Sequence, residues 1–267
     1  MRIAVAVSGG VDSLCALLLL RRAGHEVFAL HALLGQAAAV SGAPRPPEGL
    51  EAACRALDVP LEVVDLRDAF AREVIAPFAR AYAAGRTPNP CARCNRSIKF
   101  GALMNSALDL GAEALATGHY ARLAPRSARG APGPFLATAA HTAKDQSYFL
   151  SLVPGERLGR ALFPLAGLSK AACRALVAEA GLEVPLPGES HDICFAPGGV
   201  DAYREFLARQ WQALGIAPPG GGPVLLYDGA EAAADEADGE WRATSAPCAP
   251  PHAGHLRRIG THAGLWR

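Results

Sequence analysis

Between residues 3 and 117, short apolar runs rich in Val and Leu alternate with helix-length segments, and this alternation constrains the fold more than any other feature. Runs at 3–7, 27–33, 61–65 and 114–117 have the length of buried strands, and the segments 11–23, 49–57, 68–84 and 98–110 read as helices. Such strands, joined through helices by short connections, bury themselves in a parallel sheet covered on both faces. The expected fold class is therefore α/β, a doubly wound parallel sheet whose ligands sit beyond the carboxyl ends of its strands. Residues 124–134 read as a surface loop between two short strands. After residue 153 the pattern turns to helices at 170–180 and 201–214, which predicts a smaller, mostly helical domain over 154–217 behind a first domain of 1–153. Residues 218–267 are rich in Gly, Pro, Ala and acidic side chains, with one apolar run at 224–227, and read as a weakly ordered tail.

Composition narrows the partners. With 51% apolar residues among 267, the chain can bury a good-sized core, yet no stretch approaches the roughly 18 apolar residues of a membrane span. Nothing resembles a signal peptide, so a cytoplasmic location without a membrane partner is expected. A formal net charge of +1 excludes bulk basicity as a route to nucleic acid, so any RNA contact must come from a local patch. Seven cysteines, an odd number without an export signal, favour reactive or metal-binding thiols over a disulfide framework.

The first strand runs directly into Ser8-Gly9-Gly10-Val11-Asp12-Ser13, with a helix following at once. Two glycines let the backbone approach an anion closely, the helix start supplies N–H groups and positive dipole, and Ser8 and Ser13 offer hydroxyls. The loop lacks the lysine of GxxxxGK[ST], so retaining pyrophosphate during adenylate formation fits it better than transfer of a terminal phosphoryl group. Asp12 is placed to help hold Mg²⁺ on the phosphates. A plain capped strand-helix turn is the competing reading.

A second concentration of chemistry lies at Thr87-Pro88-Asn89-Pro90-Cys91-Ala92-Arg93-Cys94-Asn95, with Cys194 about a hundred residues on. The prolines stiffen the loop, and Cys94 is expected a few residues before a helix. There the dipole and Arg93, Arg96 and Lys99 would favour a thiolate nucleophile. Taken alone, the CxxC reads equally as a zinc half-site or a redox pair, although no second CxxC or His pair completes a zinc site.

The hexapeptide resembles that of PP-loop ATP pyrophosphatases, in which SGGxDS marks enzymes that make adenylates. Further motifs narrow this. TPNPCxxCNxxIKFG, ATGHY (116–120), KDQSYFL (144–150), LFPL (162–165) and ICF (193–195) occur in the order seen in tRNA-specific 2-thiouridylases, from residue 3 to about 210. The resemblance implies that Ala6, Val7 and Ser8–Ser13 hold the ATP phosphates, that Ala32 and Gly118 border the adenosine, and that His119, Lys144, Asp145 and Gln146 lie against tRNA. It implies Cys94 as nucleophile and Cys194 as the persulfide carrier. The implied reaction is ATP-dependent adenylation of the wobble uridine, position 34, followed by displacement of AMP by sulfur at C2. The implied partners are Lys, Glu and Gln tRNAs and a sulfur-relay protein, a cysteine desulfurase or free sulfide.

The sequence also departs from that pattern. Cys91 stands where many bacterial members have aspartate, and with Cys94 and Cys194 it offers three thiolates, enough for a [4Fe–4S] cluster with one open iron. Persulfide and cluster mechanisms both remain open, as does an inert Cys91. Leu14 replaces a second serine of the loop, and Glu189-Ser190-His191-Asp192 replaces a Lys-rich stretch, with His191 a candidate acid-base group. Residues 254–262 resemble the stretch leading into C-terminal barrels, of which the chain would lack most. RNA would then be gripped through a patch drawn from Arg86, Arg93, Arg96, Arg122, Arg126, Arg129 and Lys144. Cys15 and Cys173 read as core residues, and Cys54 and Cys248 carry no motif. The competing functions are another adenylating, cluster-dependent tRNA-thiolating enzyme, an amidotransferase-type synthetase, and an inactive tRNA-binding protein.

Overall fold

A computed structural model of the chain describes residues 1–35, 45–124, 134–186, 193–196, 199–227 and 256–262. The elements run β1 (Arg2–Ala6), α1 (Val11–Arg22), β2 (Glu26–Leu33), α2 (Leu50–Ala56), β3 (Leu61–Asp65), α3 (Arg67–Phe70), α4 (Ala76–Ala83), α5 (Pro90–Cys94), α6 (Met104–Asp109) and β4 (Ala114–Ala116). They continue through β5 (Arg122–Ala124), β6 (Phe135–Ala137), α7 (Ser147–Leu150), α8 (Gly155–Leu158), β7 (Ala161–Leu162), α9 (Lys170–Glu179), α10 (Gly199–Leu214), β8 (Gly222–Tyr227) and β9 (Leu256–His262).

The expected parallel sheet is present. Its five strands lie in the order β3-β2-β1-β4-β7, every pair parallel. Chain direction across the sheet reverses between β1 and β4, so a crevice opens beyond the carboxyl ends of these two strands. Side chains alternate between the faces. Ile3 and Val5 of β1 pack with α1, α2 and α9, while Ala4, with Phe28 and Leu30 of β2, packs against the layer that holds α4, α5, α6 and α10.

Two helices contain wide, π-type turns, and the second is longer than the apolar pattern suggests. Ala71–Ile75 joins α3 to α4, and Asn95–Leu103 joins α5 to α6. Within the second, a Cβ on Gly101 would lie 3.0 Å from the carbonyl oxygen of Arg96 five residues earlier, so the glycine fits the widened turn. That helix starts at Pro90 rather than near residue 98. Asn89 caps it through Oδ1, which accepts from the Ala92 N–H at 3.0 Å, and Pro90 occupies the first helical position, where its missing N–H costs nothing.

Both cores continue across residue 153, where the sequence suggested a domain boundary. β7 is a strand of the main sheet, Cys173 and Val177 of α9 are buried against α1, and Phe206, Leu207 and Trp211 of α10 join the other core. The Trp211 indole N–H donates to the Ala79 carbonyl at 2.8 Å, tying α10 to α4. Within the tail, β8 and β9 pair antiparallel with an irregularity at Val224/Leu225. Among the described residues no helix is long and apolar enough to cross a membrane.

Candidate active site

β1 delivers the loop Ser8–Ser13 into the crevice at the reversal of strand order. Gly9 adopts φ +90°, which only glycine takes without strain, and a Cβ there would also press on Pro47 and Pro185 at 3.3 and 3.4 Å. Ser13 fixes the loop from inside: its hydroxyl donates to the Gly10 carbonyl at 2.8 Å and accepts from the Ser8 N–H at 3.2 Å. Ser8 is exposed, Val11 half-buried, and Val7 buried with its N–H on the Leu30 carbonyl at 3.0 Å. No side chain caps α1. Helix N–H groups at this end therefore face the crevice and suit an anion. Ala6 and Ala32, at the carboxyl ends of β1 and β2, are partly buried along the same edge.

Gly118, just beyond β4, closes the other side. A Cβ there would stand 2.8 Å from the Asp12 carbonyl carbon and 2.9 Å from the Ser13 nitrogen, so the glycine is needed for β4 to approach α1. The next-but-one residue, Tyr120, donates its hydroxyl to Asp12 Oδ1 at 2.7 Å, and Lys170 Nζ reaches Asp12 Oδ2 at 2.5 Å. Both carboxylate oxygens are thus engaged by protein, and Asp12 can meet Mg²⁺ directly only if one partner moves. Sequence reasoning missed this arrangement. The signal available was a phosphate loop without a lysine and a lysine at the start of a later helix.

The structure also gathers the motif cysteines. Cys91 and Cys194 are exposed and Cys94 is buried, and both of the exposed thiols act electrostatically on Cys94. Burial pushes the Cys94 thiol up to about 11, with Lys99 acting against the rise and Cys194 and Cys91 adding to it. Loss of solvation likewise raises the Cys194 thiol, and Cys91 raises it further against the pull of Lys99. This reverses the expected lowering at Cys94, because burial outweighs the pull of Lys99. Cys94 is the fifth residue of its helix rather than a residue ahead of it, and Arg93 and Arg96 are exposed on other faces. Cys194 is positioned by its neighbour Phe195, whose ring packs against Phe70, Phe78 and Phe206 at centroid distances of 5.7, 5.2 and 5.3 Å. Among the described residues no three Cys, His, Asp or Glu side chains are grouped to hold a metal.

Lys99 connects the two halves. It acts electrostatically on Cys94 and Cys194, and on His119, the residue after Gly118. His119 is buried, its Nδ1 hydrogen-bonded to Thr117 Oγ1 at 2.8 Å and its ring between Phe100 and Phe163. Burial, with Lys99, holds it well below the usual imidazole range, hence neutral.

The segment expected against tRNA is partly structural. Gln146 accepts the Tyr120 N–H at 3.1 Å through Oε1. Asp145 accepts from the Ala139 N–H at 2.8 Å and the Ser147 hydroxyl at 2.6 Å. Burial opposes ionisation of Asp145, but the Ser147 hydroxyl and these backbone donors hold its carboxyl below the ordinary value. Lys144 is exposed, as are Arg86, Arg93, Arg96 and Arg122, while Arg126, Arg129, His191 and Cys248 lie outside the described residues. Pro88, Asn89, Arg93, Arg96, Ser97, Glu73 and Leu152 line a surface cavity of 490 Å³, and Tyr148 on α7 is 69% exposed. Cys15 and Cys173 are buried where α1 meets α9, and the Cys173 hydrogen bond and burial push the Cys15 thiol up.

The strand order, the loop at its reversal and the glycine that lets β4 pack against that loop define an α/β protein of the PP-loop class. The chain belongs to the tRNA methyl transferase HUP domain family, whose model matches residues 1–198. It is 52% identical over 230 residues to the tRNA-specific 2-thiouridylase MnmA of Oleidesulfovibrio alaskensis, covering 86% of this chain and 63% of that one. It is 45% identical over 269 residues to the tRNA-specific 2-thiouridylase MnmA of Nitratidesulfovibrio vulgaris, covering 100% of this chain and 66% of the relative. The chain thus spans less than two thirds of the length of these curated relatives. A solved structure of a predicted tRNA methyltransferase subunit from Methanocaldococcus jannaschii aligns over 81% of this chain and 90% of its own, with a TM-score of 0.40 and 15% identity, a slight likeness.

Proposed function

We propose that the chain is a tRNA-uridine 2-sulfurtransferase that uses ATP to adenylate the wobble uridine and then thiolates its C2. What supports this reading is that Lys99 acts electrostatically on Cys94 and Cys194 and also on His119, the neighbour of Gly118, against which the phosphate loop packs. One crevice would then serve both nucleotide and sulfur chemistry, and sulfur transfer to uridine is the activity named for the relatives.

The loop residues Ala6–Ser13 hold the phosphates of ATP, bound with Mg²⁺, while Ala32 and Gly118 border the adenosine. The uridine C2 oxygen attacks the α-phosphate and pyrophosphate leaves. This converts an amide-like oxygen, a poor leaving group, into AMP. The outer sulfur of a Cys194 persulfide then attacks C2 and displaces AMP, leaving Cys194 disulfide-linked to the base; the Cys94 thiolate attacks Cys194 Sγ, releasing 2-thiouridine and forming a Cys94–Cys194 disulfide that a thiol reductant reopens. Lys99 favours the thiolates against burial. Arg86, Arg93, Arg96, Arg122 and Lys144 contribute the phosphate-binding charge for tRNA, and the exposed ring of Tyr148 suits base stacking. Lys, Glu and Gln tRNAs are the substrates, and a relay protein or desulfurase supplies the sulfur in a cytoplasmic setting.

The test is mass spectrometry of tRNA nucleosides after anaerobic incubation of the full chain with tRNA, ATP, Mg²⁺ and sulfide or a persulfide donor. ATP-dependent 2-thiouridine, absent with Cys94→Ala and with Cys194→Ala, is the expected result. Dependence on reconstituted iron would replace the persulfide route by a cluster route. Binding of tRNA without any thionucleoside would leave only an RNA-binding role.

A further inference from the structure

A loop that retains pyrophosphate faces several negative charges, yet Ser8–Ser13 contains no cationic side chain. The fold brings one from far along the chain. Lys170, 158 residues from Asp12, opens α9 and holds Nζ 2.5 Å from Asp12 Oδ2, with its side chain only 15% exposed. Asp12 does not need this partner. It lies in the first turn of α1, where the helix dipole already favours a carboxylate, and Tyr120 donates to its other oxygen at 2.7 Å. A partly buried ion pair adds little net stability once desolvation is counted. The lysine is therefore better explained by what enters the crevice.

The scaffold around Lys170 is rigid while its ammonium is on a flexible stem. Ser169 caps α9 by accepting the Ala172 N–H at 3.1 Å, and Cys173 and Val177 are buried beneath α1. Beyond α9, the Leu186 N–H donates to the Gly9 carbonyl at 3.0 Å, so α9 and the segment after it form one wall of the loop. A four-carbon stem lets a compact point charge swing a few ångströms without disturbing that wall.

We propose that Lys170 is the phosphate-binding cation of this site: it rests on Asp12 in the nucleotide-free protein and transfers to the β,γ-pyrophosphate portion of ATP, freeing Asp12 Oδ2. This rests on the reading of the loop as an ATP site. The ammonium is then paired at every stage, on Asp12 before ATP binds and on phosphate afterwards, so no bare ammonium is left partly buried.

The test is calorimetric titration of the full chain with ATP in Mg²⁺, with inorganic pyrophosphate and with adenosine, using wild type, Lys170→Met and Lys170→Arg, each shown to be folded by its melting curve. Lys170→Met is expected to weaken ATP and pyrophosphate at least tenfold while changing adenosine less than twofold, and Lys170→Arg is expected to restore most of the ATP affinity. Equal ATP affinity in wild type and Lys170→Met overturns the proposal. So does a parallel loss of ATP and adenosine, which marks a general collapse of the crevice. If the wild type binds adenosine but neither ATP nor pyrophosphate, the phosphate-site reading itself fails and takes the proposal with it.

Discussion

At Cys94 two effects oppose each other: a nearby ammonium favours the thiolate and burial disfavours it. Burial wins, leaving the thiol near 11, so at pH 7 about one molecule in ten thousand carries the thiolate, against about one in a hundred for an ordinary thiol. Thiolate increases with pH below the pKa. Alkylation of Cys94 by iodoacetamide, followed by peptide mass spectrometry in the absence of substrate, should therefore rise about tenfold per pH unit from 7 to 10. A plateau below pH 8 would contradict this account. The side-chain types at the site were legible in the sequence, since two glycines, two serines and paired thiols point to phosphate and sulfur chemistry wherever they lie. The sign of the Cys94 shift was not, because it depends on the packing of Ile98, Phe100 and Phe195 in the same core.

Among the elements, β1 with α1 was the most legible, a strand, a glycine turn and a helix in immediate succession. The helix at Pro90 was also written locally, in an Asn N-cap followed by Pro, but two prolines just ahead of a CxxC read more readily as a stiff loop. β7 has two residues, too few for any periodicity, and only the neighbouring β4 makes it a strand. The short segment 193–196 owes its position to one ring. Replacing Phe195 by Ala should cost about 3–5 kcal/mol in urea unfolding, the usual range for a buried Phe. It should also speed modification of Cys194 by a bulky thiol reagent under native conditions, because the aromatic anchor next to that cysteine is gone. Unchanged accessibility would mean that Cys194 is positioned by something other than Phe195.

For the whole molecule, the sequence established the fold class through the strand-helix alternation, but not the strand order, which depends on which strands meet across long separations. Nor did it show how residues 154–214 join the rest, because amphipathic helices read alike whether they pack on a sheet or on one another. Both cores draw on that segment through Phe163, Leu165, Cys173, Val177, Phe206 and Trp211. A chain ending at residue 153 should therefore fail to give a cooperative thermal transition or dispersed NMR amide signals, whereas the full chain gives both. A well-folded 1–153 fragment would show that the first core is self-sufficient.

Ser13, Leu14, Cys15, Ala16, Leu17, Leu18 and Leu20 of α1 are all buried, so the helix behind the phosphate loop packs on both sides, against the sheet and against α9. The conformational entropy of fixing the loop is accordingly spent when the chain folds. At the proposed nucleotide site, ATP arriving at Ser8–Ser13 would meet donors that are already aimed, and more of its contact energy would be left to appear as affinity.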